Sequence, residues 1–320
     1  MVAVAERDPL KRGGTPAGAL PDSATVPPPE PDRTGFVELN RTRLRVWDWG
    51  DPAAPPVVCL HGAYDHGRMW DGLAPELAAL GYRVVAPDLR GHGDSGRLSS
   101  GAAWAAMAVD VALLARHLGG PVGLVGHSFG GGQALYVAGV WPELVRWVVN
   151  LDGLGPPPGA LVAPEDPAAA AADMLAGAER VLARRPRVHP SAEVLVTRRR
   201  AVNVRMPDAW LAHLVRHGTR PAEGGLVWKA DPLFGVGLPA AFDVDALHAE
   251  HEAVTTPVLV LTGAEHDTWS EMTPDELVER LRHLPTARHH VVDGAGHYVH
   301  LERPDVVVAE VAAFLDEVGP

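Results

Sequence analysis

A single cysteine, Cys59, stands in 320 residues, so neither a disulfide framework nor a cysteine metal cluster can be built from this chain. It sits in the apolar run Pro56-Val57-Val58-Cys59-Leu60 and reads as a buried structural thiol. Long apolar stretches are also missing, and none approaches the roughly 20 residues of a membrane helix. The N-terminus has no signal-peptide core. Residues 1–34, rich in Pro, Gly, Ala and charge, read as a disordered leader without a catalytic part. Basic residues are outnumbered: 28 Lys and Arg against 40 Asp and Glu give a net charge of -12. That balance disfavours a nucleic-acid partner, because phosphate binding wants a basic face. No internal repeat is visible. The absences lead to the expectation of a reduced, cytoplasmic protein with neither membrane nor nucleic-acid partner.

What is present is an ordinary globular balance, 47% hydrophobic and 21% charged, over a length that fits one large α/β domain or two small ones. Phe36-Val37-Glu38-Leu39 and Leu44 to Trp49 alternate like strands around Asn40-Arg41-Thr42-Arg43, a hairpin pattern. Six more apolar segments follow, at 57–60, 82–86, 121–125, 144–151, 257–262 and 288–292. Helical patterns stand between or after them, near Met69–Leu80, Trp104–Leu118, Gly131–Ala138, Pro274–Leu284 and Pro304–Val318. This alternation predicts an α/β fold with a mostly parallel eight-stranded sheet and helices on both faces. It lapses between Gly153 and Thr256, where helical patterns, prolines and arginines run without strands. That block, 153–256, reads as a helical cap inserted after the sixth strand, with 35–152 and 257–320 as the core domain.

The chemistry centres on Gly126-His127-Ser128-Phe129-Gly130, placed between an apolar strand and a small-residue helix. A serine on such a turn is a nucleophile elbow, G-x-S-x-G. The glycines keep side chains away from the neighbouring strand and helix, and the helix N-terminus favours developing negative charge. A serine hydroxyl needs a base to take its proton, and an imidazole needs a carboxylate to fix its tautomer. After the strand ending at Thr262 comes Gly263-Ala264-Glu265-His266-Asp267, and after the last strand comes Gly294-Ala295-Gly296-His297. The expected triad is therefore Ser128, His297 and Asp267. Asp152, after the sixth strand, is the main rival acid and Glu265 a minor one. The expected oxyanion donors are the backbone N–H groups of Phe129 and of Ala63, in the loop His61-Gly62-Ala63.

Together with the turn Asp88-Leu89-Arg90-Gly91-His92-Gly93-Asp94-Ser95, these motifs resemble the α/β-hydrolase fold superfamily across residues 36–318. Trp228-Lys229-Ala230-Asp231-Pro232 resembles capped members near the serine-hydrolase-like group. The resemblance implies a serine hydrolase cleaving a carboxylic ester or related acyl compound, with no cofactor and no metal. Carbon–carbon bond hydrolysis, thioester hydrolysis and a perhydrolase activity use the same triad and stay open, as does a non-hydrolytic ligand-binding protein. A serine at the elbow argues against haloalkane dehalogenase and epoxide hydrolase chemistry, where relatives place Asp.

Other residues have blander readings. Tyr64, Trp70, Trp228 and Trp269 are candidates to line the acyl pocket, with core packing as the competing role. His61, His92 and His127 stand beside glycines in tight loops and read as structural. His213 and His217, four apart, lack a third metal ligand and read as exposed cap residues. Arg198-Arg199-Arg200 reads as a solvated helix face.

Overall fold

Two residues in the left-handed region, Asn40 at φ 48° and Arg41 at φ 57°, fold the chain back between β1 (Arg33–Leu39) and β2 (Thr42–Trp49). Such a two-residue turn has a twist that suits the strands it joins, and it is tighter than the expected four-residue loop. The computed structural model describes residues 29–99, 103–156, 166–236, 243–266 and 272–319. Of the expected leader, 1–28 lie outside the described residues, whereas Arg33 and Thr34 already belong to β1. Charge anchors them: Arg33 pairs with Asp48 at 2.7 Å, and Asp32 accepts the Gly50 N–H at 2.7 Å.

Further strands follow in chain order: β3 (Pro56–Leu60), β4 (Arg83–Pro87), β5 (Val122–His127), β6 (Val145–Leu151), β7 (Thr219–Ala222), β8 (Gly225–Trp228), β9 (Val258–Gly263) and β10 (Ala287–Val292). Eight of these form one sheet in the order β1-β2-β4-β3-β5-β6-β9-β10. Pairing is antiparallel among β1, β2 and β4 and parallel from β4 onward. The mostly parallel eight-stranded sheet read from the apolar segments is therefore present.

Alternating side chains feed two cores, as the pleat requires. Val57, Cys59, Leu259 and Leu261 face one side, where Leu77 of α1 (Ala74–Ala79) and Phe314 of α10 (Pro304–Val318) cover them. Val58, Leu60, Val258 and Val260 face the other, under Met107 of α2 (Trp104–His117) and Leu135 of α3 (Phe129–Val140). The helix expected from Met69 to Leu80 is split into a 3₁₀ turn, Gly67–Trp70, and the short α1. Gly72 lies against Trp210, where an added Cβ would come within 2.8 Å of the indole, and Pro75 starts the helix proper.

Between β6 and β9 the chain forms α4 (Pro167–Leu182), α5 (Ala192–Val202), α6 (Asp208–Gly218) and α7 (Val244–Glu252). The expected all-helical cap also holds an antiparallel hairpin, β7 with β8, turned at Gly224 with φ 83°. α6 sends Trp210, Leu211 and Leu214 into the core that contains Met69 and Leu73, which seats the cap on the loop after β3. α7 lies on α3, where Gly139 leaves room for the Glu250 carbonyl. After β9 come α8 (Pro274–Arg282) and, beyond β10, α9 (Val299–Glu302) and α10. No helix among the described residues is long and apolar enough to cross a membrane.

Candidate active site

Parallel strands deliver their following loops to one edge of the sheet, and here the loops after β3, β5, β6 and β10 meet. Ser128 joins β5 to α3 at φ 53° and ψ -119°, a conformation that strains a residue bearing a Cβ. The neighbours allow it by being small. An added Cβ on Gly126 would lie 2.3 Å from the Gly130 carbonyl, and one on Gly130 would lie 2.2 Å from the Leu60 carbonyl. The Ser128 N–H donates to the Leu151 carbonyl at 3.0 Å, which ties the elbow to the end of β6.

His297 follows β10 and is 9% exposed. Its Nδ1 lies 2.6 Å from Asp152 Oδ2, so Nδ1–H donates to the carboxylate and Nε2 carries the lone pair. Asp152 stands just past β6 at φ 51°, with its N–H donating to the Leu261 carbonyl at 2.8 Å. Asn150 braces that turn: its amide oxygen accepts the Gly153 N–H at 2.8 Å and its amide nitrogen donates to the Gly153 carbonyl at 3.1 Å. Asp267, the acid expected from the sequence, lies outside the described residues. Glu265 turns away toward Arg205, at 3.7 Å, and is nearly half exposed.

The three glycine-flanked histidines hold backbone. His127 Nε2–H donates to the His297 carbonyl at 2.9 Å, which links the elbow to the loop of His297. His61 Nδ1–H donates to the Gly62 carbonyl at 2.7 Å while its Nε2 accepts the Leu89 N–H at 2.9 Å. His92 accepts the Tyr64 N–H at 3.1 Å and donates to the Arg90 carbonyl at 3.1 Å. Burial lowers the pKa of all three, that of His92 to about 3, and keeps the rings neutral. Asp88 is structural too, accepting the Gly67 N–H at 2.7 Å, the Trp47 indole at 3.1 Å and the Asp94 N–H at 2.8 Å.

The loop after β3 runs close to the elbow. A Cβ added to Gly62 would sit 3.3 Å from Ser128 Cβ, so glycine is what lets Ala63 come near the serine. Among the described residues neither the Ala63 nor the Phe129 N–H has an acceptor. A strained serine, an imidazole with an oriented lone pair and two unpaired amide donors are the parts that acyl transfer requires.

A sequence model of the alpha/beta hydrolase family matches residues 57–310, most of the chain. This chain belongs to that family. The alpha/beta hydrolase is 30% identical over 283 residues to a 3-hydroxybutyrate-oligomer hydrolase of Cupriavidus necator, covering 83% of this chain and 92% of that one. It is 28% identical over 327 residues to Epoxide hydrolase A of Mycobacterium tuberculosis, covering 88% and 96%. Among solved structures, an E-2-(acetamidomethylene)succinate hydrolase superposes with a TM-score of 0.72 at 25% identity, covering 89% of this chain and 99% of that one.

Around the elbow of this alpha/beta hydrolase, aromatic rings pack edge to face. Phe234, from the cap, meets Phe129 at 5.0 Å and Tyr64 at 5.2 Å between ring centroids. Tyr64 is half exposed at the rim of this cluster, and Trp228 is partly buried under the Arg199 guanidinium. Trp70 is not a pocket residue. It is fully buried and stacked on His300, in the same core as Trp210 and Leu214 of α6. Trp269 lies outside the described residues. Phe234 was not expected here, since in Pro232-Leu233-Phe234-Gly235-Val236 it looks like any core position.

Two cap readings need correction. His213 is not exposed: its Nε2 lies 3.0 Å from the buried Asp71 carboxylate, because α6 packs onto the core. Arg199 is not solvated either. It reaches inward to an ion pair with Asp65 and a hydrogen bond to the Tyr298 hydroxyl at 3.3 Å. The Tyr298 hydroxyl in turn donates to Asp65 at 3.1 Å. Burial works against the Arg199 cation, but the facing Asp65 carboxylate outweighs it and holds the guanidinium charged. Burial, with Asp65 adding to it, pushes the Tyr298 hydroxyl far up, so it stays protonated.

Proposed function

We propose that this alpha/beta hydrolase is a serine hydrolase that cleaves a carboxylic ester or related acyl compound through an acyl-enzyme on Ser128. The observation that carries the reading is the hydrogen bond between His297 and Asp152, on a histidine whose carbonyl is held by the ring next to Ser128. His297 Nε2 takes the Ser128 proton as the oxygen attacks the carbonyl. Asp152 stabilises the imidazolium that forms, and the Phe129 and Ala63 N–H groups receive the oxyanion. His297 then gives its proton to the leaving alcohol. Water, deprotonated by the same nitrogen, releases the acid and restores Ser128.

The residue at the elbow separates this reading from epoxide opening, despite the relative named for it. A serine that opened an epoxide would be left as an ether, which water does not cleave under these conditions. A carboxylate nucleophile would leave a hydrolysable ester. The relative named as an oligomer hydrolase supports turnover over ligand capture alone. Asp267 remains the alternative carboxylate, and paired variants decide between it and Asp152.

The test is labelling with a fluorophosphonate probe followed by peptide mapping. The label is expected on Ser128, and Ser128→Ala is expected to abolish both labelling and hydrolysis of short p-nitrophenyl esters with the fold retained. Substantial residual turnover in that variant would overturn the assignment.

A further inference from the structure

Two arginines, Arg199 and Arg205, reach the loop that carries His297. Arg199, on α5, contacts the hydroxyl of Tyr298, the residue after His297. Arg205, between α5 and α6, donates to the Gly294 carbonyl at 2.8 Å and to Glu302 at 3.0 Å. Glu302 itself accepts the Gly296 N–H at 2.8 Å, just before His297. Arg199 makes a second connection through Asp65, two residues past Ala63. Asp65 is 2% exposed and its N–H donates to the Gly62 carbonyl at 3.2 Å. One guanidinium therefore touches both the segment that offers the Ala63 N–H and the segment that offers the imidazole.

We propose that Arg199 is a positioning residue: it holds the oxyanion loop through Asp65 and the His297 loop through Tyr298, so seating α5 assembles the site. This rests on the reading of Ser128, His297 and Ala63 given above. Its physical basis is the tolerance of the chemistry, where a misplacement of about 1 Å costs about 100-fold in rate. The arrangement also distinguishes positioning from substrate capture. Arg199 and Asp65 offset each other's charge, and Nη2 of the guanidinium meets both Asp65 and the Tyr298 hydroxyl, which favours positioning over capture of an anionic substrate.

Four variants test it: Tyr298→Phe, which removes only a hydroxyl, Arg199→Met, the double variant of these two, and Arg199→Lys. The readouts are the second-order rate of fluorophosphonate labelling at Ser128, kcat and KM for a neutral and an anionic p-nitrophenyl ester, and Tm. Tyr298→Phe and Arg199→Met are expected to lower kcat and the labelling rate about 10- to 100-fold with KM little changed. The double variant is expected to be no worse than the poorer single, because the two act as one unit. Arg199→Lys should recover part of the rate by restoring the charge beside Asp65. If Arg199→Met fails to fold, Tyr298→Phe alone carries the test. Labelling by Tyr298→Phe at a rate within about twofold of wild type overturns the proposal, since it would place the hydroxyl outside the assembly. A rise in KM confined to the anionic ester also overturns it, in favour of an anion anchor. Wild-type protein labelled at Ser128 shows that such a failure belongs to Arg199 and not to the nucleophile. Absence of that label would remove both.

Discussion

Replacing Asp152 by Asn separates the electrostatic role of the carboxylate from everything else at the end of β6. Asp152 sits at φ 51°, a region that asparagine tolerates at least as well as aspartate, so the turn braced by Asn150 should keep its shape. Alanine would confuse the result by adding backbone strain. The contact to Nδ1 is 2.6 Å and both side chains are largely buried. With charge centres about 4 Å apart and an effective dielectric of about 20, the carboxylate stabilises the imidazolium by about 4 kcal/mol. That charge pair exists only after His297 has taken the Ser128 proton, so its loss falls on kcat, by about 10³-fold. If the amide also draws the ring into the wrong tautomer, the loss approaches about 10⁴-fold. The assay is kcat for a p-nitrophenyl ester, with Asp267→Asn measured beside it and Tm confirming that both variants fold. Asp152→Asn within about tenfold of wild type, with Asp267→Asn crippled, would refute the argument and restore the acid expected from the sequence.

Gly130→Ala should destabilise the protein by about 3 to 5 kcal/mol, because its Cβ would meet two carbonyl oxygens at 2.2 and 2.7 Å. Urea denaturation measures it, and a loss below about 1 kcal/mol would show that the elbow relaxes freely. A second expectation concerns acid. His92, His251 and His300 are buried and neutral, each lowered by burial from 6.5 to about 3. As pH falls below 6.5 the unfolded chain protonates these rings and the folded chain does not. Stability therefore drops by up to about 1.4 kcal/mol per pH unit for each histidine. His251→Leu, in α7 and away from Ser128, should make urea stability between pH 7 and 5 less steep by about one proton. An unchanged slope would refute that account of His251.

Much of this architecture was legible because its signals are local. β3 and residues 258–261 of β9 are continuous apolar runs, and β5 and β6 are nearly so, β6 being broken by Arg146 and Asn150, which is how strands buried on both faces read. The elbow announces itself through Ser128 between a strand and a small-residue helix. The β7–β8 hairpin was not legible: each strand has four residues, and Pro221 and Gly225 stand inside them. The 69–80 helix failed for a tertiary reason, the indole of Trp210 arriving from the cap onto Gly72. Among the described residues the carboxylate beside His297 is that of Asp152, whereas the sequence favoured Asp267 and kept Asp152 as its rival. Asp152 and Asp267 both follow apolar strands, and spacing along a chain does not say which strand end lies beside His297. Arg199 was misread for a similar reason. In Arg198-Arg199-Arg200 nothing distinguishes the middle residue, and its partner Asp65 is 134 positions away.

The contacts of α5 bear on how such a cap can change over time. A cap that only roofed a pocket would be an exchangeable module, free to be swapped between relatives for a new substrate range. Here Asp65, after β3, and Tyr298, after β10, complete their bonding with a side chain from α5. A transplanted cap lacking an arginine at this point would leave Asp65 as a buried carboxylate without its cation, a defect that typically costs about 3–5 kcal/mol. The loops after β3 and β10 are thus tied to α5, and a redesigned α5 has to keep an arginine facing Asp65.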